Sequence, residues 1–193
     1  MSARNQILSS ISKNKPELTE LPNIDIQQVI SYKDVIEQFT NTLTGIGGMV
    51  VQISDEQEII ATIAAERAAG NWVADTLWDT TDAIDKLRFQ SAESLALIEK
   101  TYIKGTVGVA ENGAIWIQEH QMVNRLLPFI CQHLAIVLPK EQLVATMHHA
   151  YAQIDIAKEG FGAFIAGPSK TADIEQSLVI GAHGARSLVV YLV

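Results

Sequence analysis

An unbroken apolar run over residues 134–138, Leu-Ala-Ile-Val-Leu, constrains the fold of this chain more than any other feature. Such a run leaves no polar face, which is typical of a strand that is covered on both sides of a parallel sheet. Pro139 follows the run, and proline favours the first position of a helix, so we expect a helix over residues 140–156. Apolar runs at 161–166 and 188–193 predict two further strands around a short helix. This alternation of strands and helices predicts an α/β fold.

The first 44 residues have a different character and predict a helical arm. A short helix is expected over residues 3–12, where three apolar residues share one face: Ile7, Leu8 and Ile11. It should end before Pro16, because proline disfavours the helical conformation at the residue that precedes it. A second helical pattern runs over residues 33–43. We therefore divide the chain into an N-terminal helical arm with the first helix of the compact fold, residues 1–44, and an α/β domain, residues 45–193.

Two local patterns lie inside that α/β domain. A strand at 49–53 is followed by Ser54 and Gln57, whose spacing matches the capping box at the start of a helix. Two strand-like runs, residues 106–110 and 114–117, are separated by Glu111, Asn112 and Gly113. The pair Asn-Gly is typical of tight β-hairpin turns, so we expect a hairpin with Glu111 at its tip.

The composition argues against several classes of protein. The chain carries a net charge of −8 and only 14 Lys and Arg residues, which argues against a nucleic-acid partner. Cys131 is the single cysteine, so this chain alone holds neither an intrachain disulfide nor an iron–sulfur cluster. The adjacent His148 and His149 lack a further ligand at helical spacing, and no metal site is expected. Neither a signal peptide nor a membrane span is recognisable, so a cytoplasmic location is expected.

Polar and glycine-rich residues cluster near the end of the sequence, between the last two apolar runs. Residues 167–169, Gly-Pro-Ser, follow a predicted strand, and the first turn of a helix is expected next, with Ser169 or Thr171 as its N-cap. Free backbone N–H groups at a helix start bind anions, and Lys170 would add a positive charge there. Asp173 brings a negative charge into the same turn. A mixed-charge pocket is therefore expected rather than a bare phosphate cradle.

Four other residues could complete such a pocket. His183 and Arg186 belong to a glycine-rich turn, and with Lys170 they could hold a carboxylate or a phosphate. Arg125 could supply a bidentate contact, and Glu111 could act as a general base. Each residue also has an ordinary structural explanation: a plain turn, a solvated glutamate or a surface salt bridge. The candidate set has Glu111 as the catalytic residue and seven ligand-binding residues: Arg125, Ser169, Lys170, Thr171, Asp173, His183 and Arg186.

The same motifs resemble those of the LUD-domain family, of the lactate-utilisation protein C type, over roughly residues 45–193. Four segments carry the resemblance: residues 110–113 (Ala-Glu-Asn-Gly), Arg125 with Pro128, residues 167–175 (Gly-Pro-Ser-Lys-Thr-Ala-Asp-Ile-Glu) and residues 181–184 (Gly-Ala-His-Gly). The sequence departs from the family pattern at the hairpin tip, where Glu-Thr-Gly-Thr reads Glu-Asn-Gly-Ala. It also has Lys170 where the family usually has an arginine, and Ala185 where the family usually has a proline. Lysine keeps the charge but loses the planar fork of arginine.

The resemblance implies both a fold and a role. The implied fold is that of ribose-phosphate isomerases, glucosamine-phosphate deaminases and CoA-transferases, an α/β sheet flanked by helices. The implied role is in the oxidation of L-lactate to pyruvate, together with partner subunits that carry iron–sulfur clusters. We therefore expect a cytoplasmic accessory subunit of a lactate-oxidation system that binds a small carboxylate or phosphate, and we leave open whether it catalyses anything alone. The alternatives are a self-sufficient enzyme acting on a sugar phosphate, a CoA ester or a folate, and a regulatory ligand-binding module.

Overall fold

The computed structural model describes residues 2–20, 22–79, 81–170, 180–181 and 183–193. In these ranges the strands are β1 Met49–Gln52, β2 Val73–Asp75, β3 Lys100–Lys104, β4 Val107–Val109, β5 Ile115–Gln118, β6 His133–Leu138, β7 Leu143–Val144, β8 Gly162–Ile165 and β9 Ser187–Leu192. The α-helices are α1 Ala3–Lys13, α2 Val35–Gly45, α3 Gln57–Ala68, α4 Asp82–Leu87, α5 Ala92–Leu95, α6 Glu119–Met122, α7 Leu127–Ile130, α8 Met147–Tyr151 and α9 Ile156–Glu159. None of the helices in these ranges is both long enough and apolar enough to cross a bilayer.

In the part of the chain that the structure describes, five strands form a parallel sheet, in the order β1-β9-β6-β3-β2. The apolar run at residues 134–138 forms most of β6, the central strand, and all five of its residues are buried. Ala135 pairs with Tyr102 of β3 on one side and with Val189 of β9 on the other. These parallel pairings confirm the predicted α/β fold with a parallel sheet. An unbroken apolar run is stable in β6 because both faces of this strand are covered.

Helices and a second sheet cover the two faces of this parallel sheet. On one face, Ile59 and Ile63 of α3 pack against Tyr102, Ala135 and Val137. On the other face lies a larger apolar cluster with members from α2, the second sheet and the parallel sheet: Phe39, Leu43, Ile115, Ile117, Ile103, Ile136 and Leu138. The helix predicted over residues 33–43 is confirmed as α2, which contributes two fully buried side chains to the core.

The second sheet has four strands among the described residues, in the order β7-β4-β5-β8. Its centre is the predicted hairpin, in which Val107 of β4 pairs antiparallel with Trp116 of β5. Gly105 joins β3 to β4 where there is no room for a side chain, because a Cβ there would lie 2.7 Å from the Cγ2 of Ile115. The chain can therefore turn sharply from one sheet into the other, and the second sheet packs over the first.

The helix predicted over residues 140–156 is wrong. Residues Lys140–Gln142 form one turn of 3-10 helix, Leu143–Val144 form β7, Met147–Tyr151 form the short helix α8, and a separate helix, α9, begins at Ile156. Leu143 pairs instead with Gly108, whose missing side chain leaves room for the leucine: a Cβ at position 108 would lie 2.7 Å from its Cδ2. Pairing with β4 thus prevails over the helical spacing of the apolar residues in this segment.

Two further helix predictions have different outcomes. The predicted N-terminal helix is present as α1, and Ser2 accepts a hydrogen bond from the Asn5 N–H at its start. None of its residues is buried. The capping box predicted at Ser54 is wrong, because α3 begins at Gln57 and Asp55 instead accepts from the Gln57 N–H at 2.9 Å.

Candidate functional site

The loop at residues 167–170 follows β8 and is fixed by backbone hydrogen bonds to residues 180–186. The Ser169 N–H donates to the Ala185 carbonyl at 2.9 Å, and the Gly181 N–H donates to the Ser169 carbonyl at 2.9 Å. An isolated antiparallel bridge joins Lys170 to Ile180. The two glycine-rich segments that the sequence placed 14 residues apart therefore form one folded unit, which we call the loop pair.

Close approach of the backbone requires glycine at two positions of the loop pair. Gly167 has a φ of +74°, in the left-handed region that favours glycine. A Cβ at Gly184 would lie 3.0 Å from the Cβ of Ser169. These contacts bring the polar side chains of both segments to the same surface.

The loop pair lies at the amino ends of the parallel strands. The Arg186 N–H, one residue before β9, donates to the carbonyl of Gln132, one residue before β6, at 2.8 Å. The β8 strand that leads into the loop belongs to the second sheet, where Ile165 pairs with Ile115. The site therefore does not occupy the crevice at the carboxyl ends of a parallel sheet, where open α/β sheets usually bind ligands.

The end of α2 fastens the loop pair to the rest of the fold. The Lys170 ammonium donates a hydrogen bond to the backbone carbonyl of Ile46. A Cβ at Gly167 would lie 3.1 Å from the same carbonyl oxygen, and a Cβ at Gly113 would lie 3.3 Å from the Ile46 Cδ1 atom. Ile46 thus contacts both the tip of the hairpin and the loop. Sequence reasoning missed this residue, and the neighbouring pair of glycines at 47 and 48 was the one signal of a close approach there.

A cavity of about 280 Å³ opens at the loop pair. Its polar side consists of Ser169, Lys170 and His183. Its apolar walls come from four other segments and are formed by Phe129, Leu134, Phe164 and Leu188. Of the sequence candidates in the described ranges, the structure brings together Ser169, Lys170 and His183. The two phenylalanines were not anticipated, because their contribution depends on how α7 and β8 pack.

Glu111 has a partner outside the cavity. It stands at the hairpin tip, as expected, and its Oε2 atom accepts a hydrogen bond from the Met147 N–H, at the first residue of α8, at 2.9 Å. Its own N–H donates to the Ala145 carbonyl at 3.0 Å. The residue is exposed and does not line the cavity. A carboxylate at this position stabilises the start of α8 by accepting one of its free N–H groups.

Arg125 lies away from the loop pair. Its guanidinium forms an ion pair with Glu119, at 2.7 Å between Nη2 and Oε1, and stands 4.8 Å from the centre of the Phe161 ring. Both partners adjoin the end of the β5–β8 pair where Gln118 faces Gly162. The loop pair adjoins the opposite end of the same two strands. The surface salt bridge considered for this arginine in the sequence is the arrangement that the structure shows.

The remaining candidates divide into two groups. The side chain of Arg186 is exposed and packs along the turn at Gly181, where a Cβ would lie 2.4 Å from the arginine Cγ. It does not line the cavity. Thr171 and Asp173 lie outside the described residues.

Cys131 is buried close to the loop pair, between α7 and β6. Burial raises the pKa of its thiol to about 11. A thiol with such a pKa stays protonated at neutral pH and is a poor nucleophile. The interpretation of this cysteine as a small apolar residue fits that environment.

Comparison with known proteins identifies the family of this chain. The sequence profile of the LUD domain matches residues 95–193, which are 99 of the 193 residues. The chain belongs to the LUD domain family. The match covers the hairpin, the central strand β6 and both segments of the loop pair, so the cavity lies within the LUD domain. The resemblance found in the sequence is confirmed.

Curated relatives of this LUD domain carry the name lactate utilization protein C. The protein from Bacillus pumilus (strain SAFR-032) is 35% identical over 91 residues, which cover 44% of this chain and 38% of that protein. The protein from Shouchella clausii (strain KSM-K16) is 33% identical over 114 residues, which cover 56% of this chain and 48% of that protein. A more extended match, to the protein from Exiguobacterium sp. (strain ATCC BAA-1283 / AT1b), is 25% identical over 196 residues and covers 88% and 82%. The chain thus spans less than half the length of the first two relatives.

A solved structure shares the fold. The crystal structure of a DUF162 family protein from Deinococcus radiodurans superposes with a TM-score of 0.60 at 18% sequence identity. The superposition covers 85% of this chain and 99% of that one. The arrangement of a parallel sheet flanked by helices is therefore shared with a folded protein of known structure.

Proposed function

We propose that this LUD domain is an accessory subunit of a lactate-oxidation system and that the cavity at its loop pair binds a small carboxylate. The names of the curated relatives support the part that concerns lactate. The observation that carries the binding role is the cavity itself, which has a cationic and hydroxyl-bearing side facing apolar walls. A short organic acid has the same two parts, a carboxylate and a small apolar body.

Lys170 is the main anchor for the carboxylate. A lysine ammonium has three N–H donors, and one of them is used by the Ile46 carbonyl. That bond fixes the position of the ammonium, and within the described part of the chain it is the only bond that the ammonium makes, which leaves two donors for a ligand. The Ser169 hydroxyl can donate a further hydrogen bond, and His183 at the cavity mouth can donate through its ring N–H. Charge-assisted hydrogen bonds of this kind are about twice as strong as neutral ones.

The size of the cavity limits the ligand to a small molecule. Pockets for drug-sized ligands span about 300 to 1,000 Å³. A cavity of about 280 Å³ lies just below that range. Phe129 and Phe164 would then pack against the apolar end of the acid. In lactate and pyruvate this apolar end is a methyl group.

The position of Glu111 favours a binding role over independent catalysis. In the alternative of a self-sufficient enzyme acting on a sugar phosphate, a CoA ester or a folate, Glu111 would be the base or nucleophile. Its carboxylate instead accepts the Met147 N–H, and the side chain does not line the cavity. In our proposal the electrons from lactate leave through iron–sulfur clusters on partner subunits, because this chain has one cysteine and burial keeps that cysteine protonated. A cytoplasmic location belongs to the same proposal.

Titration of the purified chain with lactate and with pyruvate, by isothermal calorimetry and thermal shift, tests the binding role. A ligand at 100 times its dissociation constant should stabilise the protein by about 2.7 kcal/mol. We expect Lys170→Ala to weaken binding about tenfold or more, because a charged hydrogen-bond partner is lost. Lys13→Ala, which removes an exposed lysine from α1, serves as the matched control and should leave binding unchanged. Equal binding by both variants would exclude the loop pair as the site.

The accessory role needs a separate measurement. The tagged chain, expressed in its source cells, should co-purify with cysteine-rich subunits that contain iron, and lactate-dependent dye reduction should appear only in the complex. Lactate oxidation by the isolated chain would contradict an accessory role. Binding of a small acid without any partner would leave a regulatory ligand-binding module as the better description.

A further inference from the structure

A second cavity lies at the opposite end of the parallel sheet from the loop pair. Its volume is about 180 Å³. Its lining comes from the loop after β2, the residue before α3 and the carboxyl ends of β3, β6 and β9 with the residues that follow them. The lining residues are Glu56, Leu77, Trp78, Lys104, Val137, Pro139 and Val193. We call it the carboxyl-end cavity. Open α/β sheets usually bind ligands at this edge.

Lys104 lies on the sheet face against which α3 packs. Side chains alternate along a strand, so Lys100, Tyr102 and Lys104 of β3 share a face. Lys100 and Tyr102 both bond Glu66 near the end of α3, with the Lys100 ammonium at 2.7 Å and the Tyr102 hydroxyl at 3.0 Å. Lys104, two residues further along, is exposed and lines the cavity. No carboxylate of the described residues stands within ion-pair distance of its ammonium.

The loop that carries Trp78, a lining residue of this cavity, is fixed by hydrogen bonds to its backbone. The buried carboxylate of Asp75 accepts the N–H groups of Leu77 and Trp78 at 3.0 and 3.1 Å. On the other side of the loop, Asp79 forms an ion pair with Arg67 at 2.9 Å. These contacts fix the backbone of the loop, and the Trp78 side chain packs against the apolar cluster between α3 and the sheet. A fixed backbone lowers the entropy lost when a ligand packs against the loop.

The lining residues specify the chemistry of a ligand. Trp78 and the apolar walls suit an aromatic ring, because aromatic rings gain from offset or edge-to-face packing beyond simple burial. Lys104 suits a single anionic group attached to that ring. Glu56 faces the same space and would repel a second anionic group, which gives selectivity through an unfavourable contact.

The volume agrees with one ring. A closed apolar cavity of about 150 Å³ is known to accommodate benzene. The carboxyl-end cavity is slightly larger, at about 180 Å³, and is open on one side. From these observations we infer that the carboxyl-end cavity is a binding site for an aromatic or heteroaromatic monocarboxylate of single-ring size. This inference does not depend on the function proposed for the loop pair.

Four probe molecules separate the contributions of charge and ring. The full chain is titrated with benzoate, nicotinate, benzyl alcohol and phthalate, with intrinsic tryptophan fluorescence and calorimetry as readouts. Benzoate and nicotinate should bind and change the emission of Trp78. Benzyl alcohol, without the charge, and phthalate, with a second charge, should each bind at least about tenfold more weakly, since one charged contact is lost or opposed. Equal binding of benzoate and benzyl alcohol would overturn the inference.

Matched variants assign the binding to one cavity. Lys104→Met keeps the apolar stem of an exposed lysine and should weaken benzoate binding about tenfold or more. Trp78→Phe should abolish the fluorescence response, whereas Trp72→Phe, which changes another tryptophan, should preserve it. Lys13→Ala, which changes an exposed lysine of α1, should have no effect on benzoate. Absence of benzoate binding to the wild type, or binding that Lys104→Met leaves unchanged, would overturn the inference whatever the outcome with lactate.

Discussion

Replacement of Gly167 by alanine tests how the loop pair is held in place. The residue has a φ of +74°, and a non-glycine residue in the left-handed region costs about 1–2 kcal/mol. The added Cβ would also lie 3.1 Å from the Ile46 carbonyl oxygen and 3.2 Å from the Ile46 Cγ1 atom, which is closer than an ordinary contact. That crowding should add about 1–2 kcal/mol, near the lower end of the cost of overpacking. We expect Gly167→Ala to lower the free energy of unfolding by about 2–4 kcal/mol in total.

Gly70→Ala is the matched control for this experiment. Gly70 has a φ of +90°, but a Cβ there would have no heavy atom within 4 Å. It should therefore show only the conformational cost, about 1–2 kcal/mol. Both changes in unfolding free energy can be measured by urea unfolding, with circular dichroism as the signal. The comparison holds when the slope m of the free energy against urea concentration is the same in both variants. If Gly167→Ala were no more destabilising than Gly70→Ala, the contact between the loop pair and Ile46 would be refuted.

Three further predictions concern other parts of the fold. Gly108→Ala should destabilise the protein by about 1–3 kcal/mol in urea unfolding, because its Cβ would meet methyl groups of the packed core; an unchanged midpoint would disprove the pairing of β7 with β4. Glu111→Ala should lower the free energy of unfolding by about 1 kcal/mol, because the hydrogen bond to the start of α8 is lost. Carboxylate binding, measured by calorimetry, should stay unchanged; a loss of binding would show that Glu111 belongs to the binding site. The raised pKa of Cys131 contributes stability that is fully present below the ordinary thiol pKa of 9.0 and is lost as the pH rises through about 11. Cys131→Ala should therefore show a shallower fall of the unfolding free energy between these two pH values. An identical pH dependence in both proteins would count against the burial of the thiol.

Local patterns predicted those elements whose contacts are close in sequence or whose burial is complete. The apolar run of β6 has one stable solution, a strand between two covered faces. The hairpin at Glu111 follows from its turn residues. In both cases the physical cause lies within a few residues of the pattern itself.

Contacts between distant segments decided what the sequence could not show. The spacing of Leu143, Met147 and Tyr151 suits a helix, yet Leu143 pairs with a strand 35 positions earlier, at Gly108. Arg125 looked available to a ligand because nothing in its neighbourhood revealed the stacking on Phe161. Intrinsic propensity and short motifs carry no information about such partners, and tertiary packing prevails over them.

The candidate site was predictable in part for the same reason. Ser169, Lys170 and His183 could be selected because glycine-rich polar segments between strands are typical of ligand sites, and the structure places all three around one cavity. The bond from Lys170 to Ile46 joins residues 124 positions apart and had no local signal. The apolar walls at Phe129 and Phe164 arise from the same kind of distant packing.

Chemical-shift mapping tests the central claim, that the loop pair of this LUD domain binds a small carboxylate, most directly. Amide signals of the isotopically labelled chain are followed while lactate, and then pyruvate, is added. We expect progressive, saturable shifts at Phe129, Ser169 and Gly184, which surround the cavity, and none at Arg125 at the far end of the β5–β8 pair. Shifts confined to other surfaces, or none at saturating acid, would contradict the account.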